Sequence, residues 1–365
     1  MITGVPDPTG LYRVRDGAYA ADLLIAAVAE FDVFSWLDEH GPVRVTELCA
    51  ELGWAARPAD VLLTLAAAHG LVERDLAAPD GVVVTELARQ HLVAGSRFDL
   101  RAYYTSLRER PGVREFVEVL RTDAPAAWAS ASPGAGQDGV DRGRTADAPH
   151  GSAPAPADWS GRLGDVEFAQ RITAAMDARG AFLGPALSDA VADLEFTRLL
   201  DIGGSSGVYA AALIHARPRV AATVFERDPV DHAARTLLAE RGLDARIDVV
   251  TGDMFTDSLP RGFDAHLFSQ VLHDWDHHRV EALLAASFAA LEPGGWLFDH
   301  DTHINEDKTG PAPVAEYSAL LMHSTPGKCW SVGELGDMAR AVGFVDVVHR
   351  ATAADRGVLL ARKPS

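Results

Sequence analysis

The first hundred residues carry apolar positions at helical spacing, followed by a short β pattern. Residues 18–40 show this spacing throughout and predict an amphipathic helix. Thr46, with an acidic residue after it, predicts a second helix start, and residues 56–70 predict a third helix. The apolar run 81–84 then predicts a β-strand before another helix start. Three helices followed by a β-ribbon are typical of a winged-helix domain.

From about residue 196, short apolar runs alternate with helical segments such as 278–291 and 333–343. The runs end in glycines or acids, and they are FTRLLDIGG, VAATVFERD, ARIDVVTGDMF, FDAHLFSQVLHDW, GGWLFDHD, VDVVHRA and GVLLARK. This alternation predicts an α/β fold in which helices cover both faces of a parallel sheet.

The segment 121–160 separates these two patterns. From residue 123 onward, Ala, Pro, Gly, Ser and Asp dominate, and large aliphatic residues are almost absent. Such a composition cannot bury enough apolar surface to order itself, so we expect a flexible insertion. The predicted organisation is therefore an N-terminal helical domain over 11–120, the insertion, and an α/β domain over 161–365.

Charge excludes several classes of partner. The chain has 365 residues, with 33 Lys and Arg against 52 Asp and Glu, a formal net charge of -19. Phosphate backbones and anionic membranes select clustered positive charge, so neither nucleic acid nor a membrane is an expected partner. Residues 1–100 hold seven Arg, no Lys and fifteen acids, which favours dimerisation over DNA binding for the winged-helix pattern.

The expected cellular compartment is inferred from targeting features that the sequence does not show. It has no run of about 20 apolar residues and no apolar core behind its first residues, so neither a spanning helix nor a signal peptide is predicted. Its two cysteines cannot build a disulfide framework. We expect a soluble, cytoplasmic protein.

Three predicted strands end in residues suited to a nucleotide-like ligand. The first ends in Asp201 and the glycine-rich turn Gly203 to Gly207, where backbone can approach a ligand closely. The second ends at Glu226, nineteen residues after Gly207, where an acid can accept hydrogen bonds from ribose hydroxyls. The third ends at Asp253, followed by two apolar residues. Carboxyl ends of parallel strands share one sheet edge, so the three groups are expected to meet there.

Together, DIGGSSG, VFERDP, GDMF, VLHDWD and LEPGGWLF resemble the small-molecule O-methyltransferases of the plant caffeate and bacterial polyketide type. The resemblance covers residues 18–365 apart from 123–160. It implies a Rossmann-like class I methyltransferase fold, S-adenosylmethionine (SAM) as methyl donor and a homodimer formed through the N-terminal helices. It also implies the cofactor-binding residues: Asp201, Gly203 and Gly207 at the methionine end, Glu226 at the ribose, Asp253 with Met254 or Phe255 at the adenine, Trp275 as a wall of the adenine pocket, and Ser269 as a polar contact.

The same resemblance places the acceptor chemistry at the HDW motif. Methyl transfer requires an aligned acceptor and a base that removes its proton, and the family's base corresponds to His273. Of the two supporting glutamates in plant relatives, one corresponds to Asp301 and the other to Cys329, so one carboxylate is shortened and one is absent. Cys329 is expected to be a small buried hydrophobe. His277 and His278 are expected to be solvated residues at a helix start, and His300 and His303 to line the pocket or lie on the surface.

A second hypothesis uses the same histidine as a metal ligand. His273, Asp274 and His323 would form a facial triad with open positions on a divalent ion such as iron. A small branch of the resembling family uses such a site for C-methylation of 2-oxo acids, in which the metal stabilises the enolate. A third hypothesis, a non-catalytic SAM-binding regulator, would need a basic recognition face. The leading prediction is O-methylation of a small-molecule hydroxyl in bacterial secondary metabolism.

Overall fold

The computed structural model describes residues 4–77, 80–127 and 159–365. Most of the predicted insertion 121–160 therefore lies outside the described residues. Within these ranges, no helix has both the length and the apolar composition needed to cross a membrane.

The N-terminal part is largely helical. Its helices are α1 (Thr9–Asp16), α2 (Ala20–Ala29), α3 (Val33–His40), α4 (Val45–Leu52), α5 (Ala56–Ala68), α6 (Glu86–His91), α7 (Arg101–Thr105) and α8 (Pro111–Thr122), with a 3-10 turn at Gly17–Tyr19. Its strands are β1 (Val43–Arg44), β2 (Val72–Asp75) and β3 (Gly81–Val84), which form an antiparallel sheet in the order β1-β3-β2. The predicted helices near 46 and 56–70 and the strand at 81–84 are present, but α1, β1 and β2 were not predicted, and the winged-helix assignment remains a prediction.

The single helix expected over 18–40 is instead α2 and α3, separated by a break at residues 30–32. Asp32 adopts a left-handed conformation with φ of 45°. Its carboxylate accepts hydrogen bonds from Ser35 Oγ at 2.8 Å and from Arg101 at 2.7 Å. These partners stabilise a turn that periodicity alone does not reveal, because the apolar spacing continues across it.

The C-terminal part is the predicted α/β unit. Its helices are α9 (Trp159–Arg162), α10 (Val166–Ala190), α11 (Val208–Ala216), α12 (Val230–Glu240), α13 (His277–Ala290), α14 (Ala312–Ser324) and α15 (Val332–Val342), with a 3-10 turn at Leu272–Asp274. Its strands are β4 (Arg198–Ile202), β5 (Ala221–Glu226), β6 (Ile247–Thr251), β7 (Ala265–Ser269), β8 (Trp296–Asp301), β9 (Val345–Ala351) and β10 (Gly357–Arg362).

The seven strands form a mixed sheet in the order β6-β5-β4-β7-β8-β10-β9. The first five are parallel neighbours, but β10 is antiparallel to both β8 and β9. The prediction of a wholly parallel sheet is therefore wrong at this edge. Only five residues separate Ala351 from Gly357, which suffices for an antiparallel return, whereas a parallel one needs a longer crossover.

Helix α14 joins the two parts. Its residues Val314, Ala315, Ala319 and Met322 lie in the same buried hydrophobic cluster as the cores of α2, α5 and α8. A buried ion network adds to this contact: Asp60 on α5 lies 2.5 Å from Lys328 and 2.8 Å from Lys308. The N-terminal helices are consequently packed against the α/β unit through α14 and Asp60.

Candidate active site

The glycine-rich turn after β4 forms the floor of a cavity at the carboxyl edge of the sheet. Gly203 lines the cavity and has φ of +68°, a conformation that favours glycine. A Cβ atom on Gly204 would lie 2.5 Å from Cγ of Asp201, so the turn can lie directly over that carboxyl group only without a side chain there. The backbone of the turn is thereby left open toward the cavity.

Asp201 lies beneath this turn and does not itself line the cavity. It is fully buried, neither of its carboxylate oxygens has a close hydrogen-bond partner, and burial, with Glu226 nearby, raises its pKa to about 7. Gly207 also faces away from the cavity, since a Cβ atom there would meet Leu238 and Val224 in the core at 3.2 Å. Of the three residues expected at the methionine end, only Gly203 lines the cavity. Asp201 lies beneath the turn, and Gly207 is packed against the core.

Glu226 ends β5 and lines the same cavity. Its carboxylate accepts hydrogen bonds from the backbone N–H groups of Ser205 at 3.0 Å and Arg227 at 2.9 Å. Burial raises its pKa to about 7. The carboxylate is thus fixed next to the glycine turn, in a position to accept hydrogen bonds from paired hydroxyls.

A recess beside Glu226 is lined by the residues predicted for adenine. Asp253, Met254 and Phe255 follow β6 and line it, and Gly203, Glu226 and Met254 also line the main cavity. The rings of Phe255 and Trp275 meet edge to face, 4.6 Å apart between centroids. The recess therefore combines apolar surface from Met254 and Phe255 with the carboxylate of Asp253. Ser269, at the end of β7, and Trp275 line the main cavity.

His273 lies in the 3-10 turn after β7 and is buried. Its Nδ1–H donates to Oδ1 of Asp301, the last residue of β8, at 2.6 Å, and this bond leaves Nε2 as the free acceptor. Nε2 lies 3.6 Å from Asp274, which lines the cavity. Although burial alone would lower the pKa of His273, the carboxylates of Asp301 and Asp274 raise it. Burial raises the pKa of Asp274 to about 6.

The predicted metal triad is not assembled. Nε2 of His323 is 2.7 Å from Glu115 on α8, and its ring packs against Tyr19 and Phe116. In the described part of the chain, the three ligand atoms of His273, Asp274 and His323 do not come within 4.8 Å of one another. The expectation is wrong because α14 turns His323 toward the N-terminal core and presents Tyr317 to His273 instead, with 5.8 Å between ring centroids.

Of the other residues considered at this edge, some lie where the sequence predicted and others do not. Cys329 is buried as expected, 3.2 Å from Thr302 Oγ1, and His277 and His278 are exposed at the start of α13. His300 and His303 lie neither on the surface nor along the cavity. Each is buried in a polar contact: His300 lies 3.2 Å from Ser269 Oγ, and His303 lies 2.8 Å from Asp299.

Sequence reasoning assigned no individual residue of α10 to the site. Thr173, Met176 and Arg179 of this helix line the cavity, together with Tyr209 of α11. A signal was present in the chain, since α10 carries two glycines four residues apart, Gly180 and Gly184. Their missing side chains let α10 pack closely on α11.

Comparison with known proteins identifies the family to which this chain belongs. A model of the O-methyltransferase domain matches residues 137–345. The chain is 28% identical to a 3-hydroxy-5-methyl-1-naphthoate 3-O-methyltransferase of Streptomyces sahachiroi, over 93% of this chain and 90% of the relative. It is also 28% identical to the tetracenomycin polyketide synthesis 8-O-methyltransferase of Streptomyces glaucescens, over 99% and 98% of the two chains.

A solved structure agrees over the whole length. An O-methyltransferase family 2 protein from Planctomyces limnophilus, in complex with apigenin, superposes with a TM-score of 0.78 at 27% identity and covers 98% of this chain and 96% of its own. The fold is a class I methyltransferase fold with a central mixed sheet. The open glycine turn at Gly203 and the Glu226 carboxylate beside it fit SAM, the methyl donor. The chain belongs to the O-methyltransferase domain family and is a SAM-dependent methyltransferase.

Proposed function

We propose that this enzyme methylates a phenolic hydroxyl of a small aromatic molecule in bacterial secondary metabolism, with His273 as general base. The observation that carries the proposal is the 2.6 Å bond from Nδ1 of His273 to Asp301, which leaves Nε2 free to accept a proton. The relatives support the acceptor class, because their names assign them the O-methylation of a naphthoate and of a tetracenomycin intermediate. The assembled base also argues against a non-catalytic SAM-binding protein.

The proposed SAM site follows the order of the strand ends. The turn at Gly203 would hold the methionine end, with the buried Asp201 carboxylate beneath it. Glu226 would accept hydrogen bonds from the ribose hydroxyls, since its oxygens face the cavity beside Ser205. The remaining contacts would surround the adenine or the sulfonium, and they come from Asp253, Met254, Phe255, Ser269 and Trp275.

SAM supplies a methyl group on a positively charged sulfur. The protein's part is to align the acceptor oxygen and remove its proton. Nε2 of His273 accepts that proton as the new C–O bond forms, and the positive charge then lies on the imidazolium. Asp301 stabilises this charge through Nδ1–H, and Thr302 N–H, 2.7 Å from the same oxygen, keeps the carboxylate oriented. The products are a methyl ether and S-adenosylhomocysteine.

The test is product analysis with the full-length protein, SAM and a panel of phenols. We expect an O-methyl product, identified by mass spectrometry and by the NMR shift of a methoxy group, and a loss of about 10²-fold or more in His273→Gln. His277→Gln, an exposed histidine four residues along, is the matched control and should keep full activity. Methylation at carbon, or full activity in His273→Gln, would overturn the proposal.

We also propose that the enzyme is a homodimer formed by residues 11–120. The support is a set of exposed apolar side chains on this part: Leu11 and Val14 on α1 are 76% and 80% exposed, and Tyr103 on α7 is 76% exposed. Large apolar side chains in such positions are typical of an interface. The net negative charge of the same region disfavours nucleic acid as its partner.

A further inference from the structure

Arg179 lines the cavity without a carboxylate partner. No carboxylate of the described residues lies within 4.0 Å of its guanidinium group. Its contacts are weak: Nη1 lies 3.5 Å from Tyr317 Oη and Nη2 lies 2.9 Å from the sulfur of Met176, while its buried Nε has no hydrogen-bond partner. Arg179 is half-buried at the cavity wall. A guanidinium group partly removed from water without an anion is unfavourable, so the site favours a ligand that brings one.

Two buried arginines show how the chain usually compensates this charge. Arg74 lies 2.9 Å from Asp60 and 2.7 Å from Asp80, and Arg356 lies 2.7 Å from Asp16. Arg179 differs from both, although it is held firmly in place. Its backbone carbonyl accepts a hydrogen bond from Tyr12 Oη at 3.2 Å, so α1 fixes α10 at this residue.

The carboxylates that act on Arg179 through space, Asp301 and Asp16, have other partners. Asp301 accepts from His273 and from the backbone of Thr302, and Asp16 pairs with Arg356. Neither can turn to Arg179 without leaving another buried group unpaired. The charge of Arg179 is therefore available to a ligand.

The position of Arg179 assigns it to the acceptor side of the cavity. Its partner Tyr317 packs edge to face on His273, with 5.8 Å between ring centroids. Asp274, next to the candidate base, lines the same cavity as Arg179. A ligand that presents a hydroxyl to His273 could thus reach Arg179 with a substituent of the same ring system.

We propose that Arg179 binds a carboxylate of the acceptor, so that the preferred substrates are hydroxylated aromatic carboxylic acids. This inference rests on the proposed O-methylation and names its substrate class. Arginine suits the role, because its planar donors match a carboxylate in a bidentate pair and hold it in a defined orientation. The anchored carboxylate would fix the ring and set which hydroxyl meets His273.

The test compares hydroxynaphthoic acids that differ in the position of the hydroxyl with their methyl esters, using the full-length enzyme. We expect wild-type kcat/KM to favour at least one acid over its ester tenfold or more. Arg179→Gln should lose about 10- to 100-fold on that acid, mainly through KM, and less than threefold on the ester. Arg179→Lys should retain part of the preference. Arg171→Gln, an exposed arginine on the same helix, is the matched control and should behave as wild type.

Other outcomes would overturn the proposal. SAM carries a carboxylate of its own, so its affinity is measured in the same variants by calorimetry; a tenfold loss in Arg179→Gln would assign Arg179 to SAM. Equal losses of kcat on acid and ester, with a shifted pH profile, would assign it to stabilisation of the phenolate. Circular dichroism and melting temperatures show whether each variant is folded.

Different experimental results would overturn the role of Arg179 and the proposed O-methylation. Turnover of esters or neutral phenols without preference for acids would overturn only the role of Arg179. If no compound in the panel is methylated, calorimetry of the acids and esters with enzyme saturated in S-adenosylhomocysteine decides. Tighter binding of an acid that disappears in Arg179→Gln would support the anchor, and equal or absent binding would overturn it.

Discussion

Nδ1 of His273 and Oδ1 of Asp301 lie 2.6 Å apart although their residues are 28 positions apart in the chain. The two are brought together because β7 and β8 are parallel neighbours, with Ser269 opposite His300. His273 follows the end of one strand and Asp301 is the last residue of the other. The sheet register therefore fixes which nitrogen of the imidazole is free to act.

Asp301→Asn tests this relationship. The pKa of His273 is raised by the Asp301 carboxylate, and the imidazole acts as a base only above that pKa. Removing the carboxylate lowers the pKa, so the acid limb of the kcat/KM profile should move to lower pH. The maximal rate should fall roughly 10²-fold, because the tautomer is no longer held and the imidazolium is less stabilised. SAM affinity should stay within twofold; an unshifted acid limb would separate Asp301 from the base.

Glu226→Ala should weaken SAM binding by about 30-fold, because two hydrogen bonds from ribose hydroxyls to a carboxylate are worth roughly 2–4 kcal/mol. Isothermal titration with SAM measures the change directly. Glu240→Gln, an exposed acid at the end of α12, provides the control and should bind SAM normally. Unchanged affinity in Glu226→Ala would remove this residue from the site.

Asp60→Asn should destabilise the fold by about 3 kcal/mol at neutral pH, since it removes one of the two carboxylates, Asp60 and Glu334, that the buried Lys328 and its neighbour Lys308 share. Burial alone would raise the pKa of Asp60, but Lys328, Lys308 and Arg74 hold it far below the ordinary value of 3.8. Its contribution is thus fully present above about pH 4 and declines gradually as the pH falls from there toward the much lower folded-state pKa, so that only a small part is lost at pH 3.5. Urea unfolding at pH 7 and pH 3.5 measures the free energy of unfolding of wild type and variant.

The expected difference between wild type and Asp60→Asn is large at pH 7 and only slightly smaller at pH 3.5. Glu73→Gln, an exposed residue on β2, should show no such difference. A variant as stable as wild type at pH 7 would mean that the network between α5 and the C-terminal part does not stabilise the fold.

Chelators should leave the activity unchanged. His323 is paired with Glu115 and does not converge with His273 and Asp274, so the residues that the structure describes offer no metal triad at the candidate base. Incubation with EDTA or phenanthroline, followed by desalting and assay, checks this, and elemental analysis of untagged protein measures bound metal. Activity that disappears with the chelator and returns with ferrous, nickel or cobalt ion would contradict the proposed mechanism.

The homodimer is tested by light scattering. We expect a mass of about twice 38.9 kDa at micromolar concentration. Charged substitutions at Leu11, Val14 and Tyr103 should shift the protein toward monomer, because they place unpaired charge in an apolar interface. Substitution of Val348, an exposed apolar residue on β9, gives the control. A clean monomer in the wild type would exclude this proposal.

The sequence by itself, through its alternating pattern and its resemblance to O-methyltransferases, predicted the class I methyltransferase fold and the residues now proposed for the SAM edge. Gly203, Glu226 and Asp253 stand at the ends of three apolar runs, and parallel strands bring their carboxyl ends to one edge whatever the details of packing. The candidate base and its carboxylate, His273 and Asp301, were named through the resemblance to O-methyltransferases, and both residues also stand at strand ends.

Tertiary structure alone decided which helical residues reach the site. The direction of a side chain on α14 depends on how that helix packs on α5 and α8, so Tyr317 meets His273 while His323 turns to Glu115. Arg179 enters the cavity because glycines let α10 pack closely on α11, a contact between helices that no spacing in the chain fixes. Sequence period predicts that a helix forms, but the rotation of the helix against its neighbours is set by packing that involves the whole chain.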